Sequence, residues 1–159
     1  TGKAVATVEV LPDGSTVTTE TSLGNGKFIR STVDANKRLT KMENTSTGQV
    51  EVYSYYPDGT VKELNITSTK GVALVKYENK LDDKGHVIQQ TETGKTTPRT
   101  YYFTYNALGQ LMDKATTPLR PTESRGYDTM GRLTNILTYD AAGFPKEVLN
   151  ITYESFTKL

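Results

Sequence analysis

The sequence predicts an all-β fold: a repetitive antiparallel β-meander forming one wide, twisted sheet that can curl on itself. The first observation is a ladder of turn positions. Glycine stands at 14, 59, 85, 109 and 131, and Lys37 fills the one gap, so the steps are 23, 22, 26, 24 and 22 residues. A period of that size marks a repeat architecture. The second is a further glycine midway, at Gly26, Gly48, Gly71, Gly94 and Gly143, so each period holds two strands and two turns. The third is that no long stretch combines a helical apolar period with capping residues, which leaves almost no helix to expect.

The turn unit is clearest at residues 127–133, Tyr-Asp-Thr-Met-Gly-Arg-Leu. Asp128 suits the first position of a turn, where its carboxylate accepts the backbone N–H two residues on. Gly131 suits the fourth, where positive φ costs it nothing. Together they describe a type I turn closed by a glycine bulge, a common hairpin connection. It places Tyr127 opposite Leu133, a cross-strand pair contributing roughly 0.2–1 kcal/mol. The spacing returns at residues 105–111 with Asn106 and Gly109, and at 81–87 with Asp82 and Gly85. Residues 55–61 and 10–16 carry Pro-Asp-Gly, with Gly59 and Gly14 last; Pro57 and Pro12 preset φ. Residues 33–39 keep Asp34, Arg38 and Leu39 but hold Lys37 where glycine belongs, so that turn is strained or of another type.

Taken in order, residues 3–10 read as a strand, turned at Gly14 into a Thr-rich strand over 15–22 that suits a pleated surface. Asn25-Gly26 is the strongest short hairpin signal. Strands follow at 27–34 and 38–44, then a turn at Gly48. Residues 50–56 alternate, with Val50 and Val52 on one face and Tyr53 and Tyr55 on the other. Residues 61–68, 72–81 and 87–92 continue the meander. Tyr101 and Phe103 alternate with Tyr102 over 101–105, which reads as a central strand covered on both faces. Between Ala115 and Gly126 two prolines replace a tight turn, and an exposed loop is expected. Strands at 133–139 and 146–156 close the chain, giving 12 to 13 strands with nearest-neighbour pairing.

On the motif at 127–133 and the half-match Tyr139-Asp-Ala-Ala-Gly143, the chain resembles the YD-repeat (RHS-repeat) proteins, whose hallmark is Tyr-Asp-x-x-Gly-Arg-Leu. The resemblance is specific over residues 105–145. It implies a β-sheet strip and a bacterial, exported or cell-surface setting. In full-length members the strip rolls into a shell around a toxic domain. At 159 residues this chain is too short for a shell, and it shows neither a toxin domain nor an aspartate-proline self-cleavage region, so no encapsulating role is expected.

Composition fits one repeat-like β domain over residues 1–159. A compact fold of that length buries roughly 70% of its unfolded surface, yet hydrophobic residues are only 35%, so a thin core and a wet sheet face are expected. Net charge is +1, from 19 basic and 18 acidic residues without like-charged runs, which argues against a nucleic-acid partner. No apolar run reaches the roughly 20 residues of a membrane helix, so no membrane insertion is expected. Cysteine is absent, which excludes disulfides and thiolate metal sites. The chain starts at Thr1 without Met, so a removed leader and an extracellular, cell-surface or periplasmic location are expected.

Little in the sequence carries catalytic chemistry. His86 is the only histidine and cannot form a His-based metal cage by itself. Asp13, Asp58, Asp82, Asp83, Asp128 and Asp140 are all turn residues, although a calcium site or paired glycosidase carboxylates could be built from such groups. No phosphate loop or hydrolase motif is present. The sequons at Asn44, Asn65 and Asn150 are expected by chance in so Thr-rich a chain. The reading is therefore no enzyme, no cofactor and no metal.

Ten tyrosines without tryptophan are the notable surplus. They read as strand-packing residues or as an aromatic platform, with Tyr53, Tyr55, Tyr101 and Tyr102 the first candidates for sugar rings or a partner protein. The last strand is apolar at Val148, Leu149, Ile151, Tyr153 and Phe156, so it reads as an edge to be covered by a partner or a second copy. The function expected is a non-enzymatic, extracytoplasmic interaction module that binds a protein partner, or the rest of a longer strip, through sheet face or edge. A carbohydrate-binding surface protein is the alternative, and a glycosidase-like enzyme a third.

Overall fold

The computed structural model describes residues 3–94 and 97–154. Its strands are β1 (Ala4–Val10), β2 (Thr16–Ser22), β3 (Phe28–Val33), β4 (Leu39–Asn44), β5 (Gln49–Tyr55), β6 (Val61–Ser68), β7 (Ala73–Leu81), β8 (Val87–Gly94), β9 (Arg99–Tyr105), β10 (Leu111–Thr117), β11 (Arg120–Tyr127), β12 (Leu133–Tyr139) and β13 (Pro145–Asn150). All 13 lie in one antiparallel meander in sequence order; β1 and β13 are not neighbours, so the sheet is not closed into a barrel. No helix occurs among the described residues. The strands group into two compact units, Thr1–Asn79 with Thr91–Pro98, and Lys80–Gln90 with Arg99–Leu159.

In the first unit the registers align side chains into columns. Thr7, Thr19, Arg30, Glu43 and Val50 form one, and Glu9, Val17, Thr32, Lys41 and Val52 another on the same face. That face is laced with polar contacts: Arg30 Nε donates to Thr19 Oγ1 at 3.2 Å, and Lys76 Nζ lies 3.0 Å from Glu63. The opposite face carries Met42, Ile66 and Val75 in one column and Tyr53, Leu64 and Tyr77 in the next.

In the second unit, strand alternation puts Tyr101 and Phe103 on one face and Tyr102 and Thr104 on the other. Thr104 Oγ1 and Ser124 Oγ both donate to Asp113, at 3.0 and 2.5 Å, linking three neighbouring strands.

Among the described residues eight turns share one geometry, the six of the ladder and those at Gly71 and Gly143. In each, the residue at the glycine position donates its N–H to the carbonyl three residues back at 2.9–3.2 Å and has positive φ. Gly131 is at φ 77. Lys37 does the same at φ 64, so the turn at 33–39 is of the common type, and the strain of a left-handed lysine is accepted. Asp34 holds it there: Oδ1 accepts from the N–H groups of Asn36 and Arg38, both at 2.9 Å.

Several expectations need correction. Residues 115–126 are not a loop: Pro118 and Leu119 make a short turn, and Pro121 sits in β11 opposite Ala115. The register shifts on both sides of Ala115, and such irregular pairing is where a strand tolerates proline. The last strand stops at Asn150, so Ile151 and Tyr153 lie beyond it, and Phe156 is outside the described residues. The hairpin signalled at Asn25-Gly26 does join β2 to β3, through a loop wider than two residues in which Gly26 N–H reaches Ser22 O at 2.9 Å. Gly94 ends β8 instead of turning it. Among the described residues no strand is fully buried on either face: Tyr101, Tyr102 and Phe103 are each half-buried.

Among the described residues only Ala115 is buried. No larger buried core is present among the described residues, and the 35% hydrophobic content is the compositional trace of that.

Gly131→Val and Lys37→Gly should shift stability in opposite directions. The first puts a β-branched side chain at positive φ and should cost about 1–3 kcal/mol. The second relieves left-handed strain and should gain up to about 1 kcal/mol after the added flexibility of the unfolded chain. Paired thermal melts check both; a Gly131→Val melt matching wild type would contradict the turn assignment.

Candidate functional site

The residues of the repeat unit form a contact system that joins each hairpin to the next. It begins in the turn. Asp128 Oδ1 accepts from Met130 and Arg132 N–H, and Oδ2 from Arg132 Nε at 2.8 Å. Asp34 holds Arg38 Nε in the same way at 2.8 Å. Asp82 does so with His86, whose Nδ1 lies 3.0 Å from Oδ2. In the unit at 105–111 a neutral pair takes over, Asn106 Nδ2 donating to Gln110 Oε1 at 2.9 Å.

The side chain after the glycine is thereby fixed, and the tyrosine of the following unit lies against it. Arg38 sits 5.1 Å over the Tyr55 ring, and Arg132 4.7 Å over Tyr153. His86 stacks on Tyr105 with centroids 4.7 Å apart. Gln110 makes a direct bond instead, Nε2 donating to Gly131 O at 2.6 Å.

Each of these tyrosines then donates its hydroxyl to the backbone of the preceding hairpin. Tyr55 reaches Leu39 O at 2.5 Å, Tyr105 reaches Val87 O at 2.8 Å, Tyr127 reaches Leu111 O at 2.8 Å and Tyr153 reaches Leu133 O at 3.0 Å. The acceptor is always the last residue of the seven-residue motif. Where that unit has Leu81 instead of tyrosine, Asn79 Nδ2 donates to Val61 O at 2.9 Å. The ladder shows why these carbonyls accept. Directly after Leu39, Val61, Leu111 and Leu133 the register shifts by one residue, leaving Thr40, Lys62, Met112 and Thr134 as bulges. A bulge interrupts ladder pairing and frees a backbone group for a side chain.

This arrangement accounts for most of the residues singled out from sequence. Tyr127 faces Leu133 across the hairpin, as Tyr55 faces Val61 and Tyr105 faces Leu111. Gly59, Gly85, Gly109 and Gly131 all take positive φ in their turns. Of the platform candidates, Tyr55 has its ring beside Arg38 and its hydroxyl bonded. Tyr53 donates its hydroxyl to Glu51, and its pKa is pushed up to about 12, by burial first and then by that carboxylate. Tyr101 lies 4.9 Å from Lys114 Nζ, while Tyr102 is on the other face opposite Ala115. The structure therefore does not bring Tyr101 and Tyr102 onto one surface. Ile151 bonds Thr134 O through its N–H, and Tyr153 serves as an interlocking tyrosine.

Sequence reasoning missed Asp34, Arg38, His86, Tyr105 and Arg132 as a set. The available signal was the fixed spacing of a charged or aromatic group after the glycine and a tyrosine before the next unit. The acids do not converge: among the described residues no group of three His, Cys, Asp or Glu could hold a metal. A hollow of about 510 Å³ on the polar face of the first unit is lined by Glu9, Thr19, Arg30, Lys41 and Glu43 among others, without an aromatic ring. No helix among the described residues is long and apolar enough to cross a membrane. No protein-family model matches the chain, and no curated protein matches it.

The turn carboxylates predict a pH dependence. Asp34 and Asp128 lie below the ordinary carboxylate range, chiefly through the backbone N–H groups of Arg38 and Arg132. Partial burial, the largest influence on Asp82, pushes it up, but the bonds from His86 and Lys84 outweigh it and lower it overall. A depressed folded value means the stabilisation is complete above the unfolded value of roughly 4 and is lost as pH falls through the folded one. Denaturation from pH 7 to pH 2 should show that loss, and the triple variant Asp34→Asn, Asp82→Asn, Asp128→Asn should be less stable at neutral pH with a flatter acid limb. An unchanged acid limb would contradict the assignment.

Proposed function

We propose that this domain is a non-enzymatic, extracytoplasmic interaction module of the YD-repeat kind, which binds a protein partner or further strands of a repeat strip through its open sheet edges. One observation carries the reading: every residue of β1 and of β13 is exposed, although both end strands bear valines and β13 also bears Leu149. An end strand offers a row of unpaired N–H and C=O groups, which natural sheets must cover, blunt or use. Adding a strand supplies affinity through main-chain bonds, with side-chain contacts setting specificity. Tyr55 already serves the interlock, Tyr53 bonds Glu51, and Tyr101 and Tyr102 lie on opposite faces, which favours the edge over a tyrosine platform. The resemblance at residues 127–133 supports the repeat character and the setting outside the cytoplasm.

Photo-crosslinking residues placed at Val8, Val148 and, as a mid-sheet control, Ile66, in the chain expressed by the cells that make it, test this reading. Adducts to one defined protein from the edge positions and none from the control are expected, with the chain fractionating outside the cytoplasm. Glycan-array binding lost in Tyr53→Ala with Tyr101→Ala would move the assignment to sugars. A turnover abolished by a point substitution would make the domain an enzyme, and absence of any edge-specific adduct would end the binding claim.

A further inference from the structure

The hollow on the polar face of the first unit is lined by neighbouring strands β1 to β4, and its centre holds more hydrogen-bond donors than acceptors. Arg30 is fixed there. Its Nε donates to Thr19 Oγ1 at 3.2 Å, and its guanidinium carbon lies 4.9 Å from the centroid of the Phe28 ring. Nη1 faces Glu43 at 3.9 Å, an ion pair too long to be a hydrogen bond. Both terminal nitrogens of Arg30 therefore keep their N–H groups for a ligand.

Lys41 stands diagonal to Arg30 across the β3–β4 ladder, because Thr32 pairs with Lys41 while Arg30 pairs with Glu43. It lines the same hollow and enters no ion pair among the described residues. The hydroxyls add to the excess of donors. Thr19 Oγ1 accepts from Arg30, which leaves its own proton to give, and the Thr32 hydroxyl in the next column has no bond within the chain.

Two cations and two hydroxyls on β2, β3 and β4 call for an anion rich in acceptors. A phosphomonoester brings terminal oxygens of that kind and about two negative charges near neutral pH. That charge matches Arg30 with Lys41 better than the single charge of a carboxylate does. The hollow, about 510 Å³, is also larger than a bare phosphate requires. Its far side is formed by Thr7 and Glu9 on β1, two strand spacings or roughly 10 Å from Thr32. A carboxylate and a hydroxyl at that distance suit the hydroxyl groups of the ester's organic part.

We propose that this hollow binds a phosphorylated polyol, with its phosphate between Arg30 and Lys41 against the hydroxyls of Thr19 and Thr32, and its own hydroxyls toward Glu9 and Thr7. Glu43 tempers the seat, since its carboxylate offsets part of the Arg30 charge and repels the ligand. Both cations are therefore required. The site lies on the sheet face and does not depend on the sheet edges.

Nuclear magnetic resonance titration of the whole chain with sorbitol 6-phosphate, inorganic phosphate, sorbitol and acetate at constant ionic strength tests the proposal, with circular dichroism confirming the fold of each variant. Wild type should bind the ester most tightly, inorganic phosphate less tightly, and sorbitol and acetate weakest, with amide shifts centred on Thr19, Arg30, Thr32 and Lys41. Arg30→Gln and Lys41→Gln should each weaken phosphate binding roughly fivefold, as loss of a partly exposed charge contact does. Glu43→Gln should tighten it, which a purely structural role for the Arg30–Glu43 pair would not produce. Glu9→Gln should cancel the ester's advantage and leave the affinity for inorganic phosphate unchanged. Absence of saturable binding by either phosphate compound, shifts centred elsewhere, or an affinity indifferent to both Arg30→Gln and Lys41→Gln overturns the proposal. Acetate binding as tight as that of inorganic phosphate overturns the phosphate assignment, and equal affinity for the ester and inorganic phosphate overturns the polyol assignment.

Discussion

A tyrosine hydroxyl donating to a carbonyl that a β-bulge has released is the contact on which the rest of this sheet depends. Tyr55, Tyr127 and Tyr153 make it at a bulge, Tyr105 makes the same bond to Val87, and each reaches the residue that closes the turn unit of the preceding hairpin. The geometry requires everything else in the motif. The turn sets the tyrosine and its acceptor hairpin in register, the bulge frees the carbonyl, and Asp fixes the Arg or His that lies against the ring. Remove the bulge and the hydroxyl has no acceptor. Remove Asp and the cation above the ring loses its anchor.

Such contacts matter more here than in a globular domain because the usual source of stability is small. Only Ala115 is buried among the described residues, so burial is spread as many half-covered strand faces. The charge pairs lie half-exposed on the sheet surface, where such pairs contribute about 0–1 kcal/mol each. A hydroxyl bonding a backbone acceptor contributes about 1 kcal/mol net, and it recurs with the repeat. Stability in such an array is a sum of local units and neighbour terms, so a modest contact made at every step becomes decisive. The turn at 33–39 shows how strongly the pattern constrains the chain: Lys37 adopts positive φ so that Arg38 and Leu39 keep their places.

Much of this was legible in the sequence, and the limits have physical reasons. The meander followed from period and alternation, which are local signals, and the strand over Val61–Ser68 could be read to the residue. The strand over Arg120–Tyr127 could not, because Pro121 argues against a ladder unless the partner's bulge is known. The end of β13 was overextended for a different reason: apolar alternation runs on past Asn150, but the ladder does not. The interlock was missed because its bonds join residues 16 to 20 positions apart, on different hairpins, and the acceptors are backbone carbonyls that carry no sequence signature. Tyr55 and Tyr153 thus looked like surplus aromatics open to a ligand when they hold the strip together.

The most direct test is the equilibrium stability of Tyr105→Phe with Tyr127→Phe, two changes that keep the rings and remove only the hydroxyls within one compact unit. Chemical denaturation should give a loss of about 1 kcal/mol per hydroxyl, close to additive. A double variant as stable as wild type would contradict the view that these bonds hold neighbouring hairpins together.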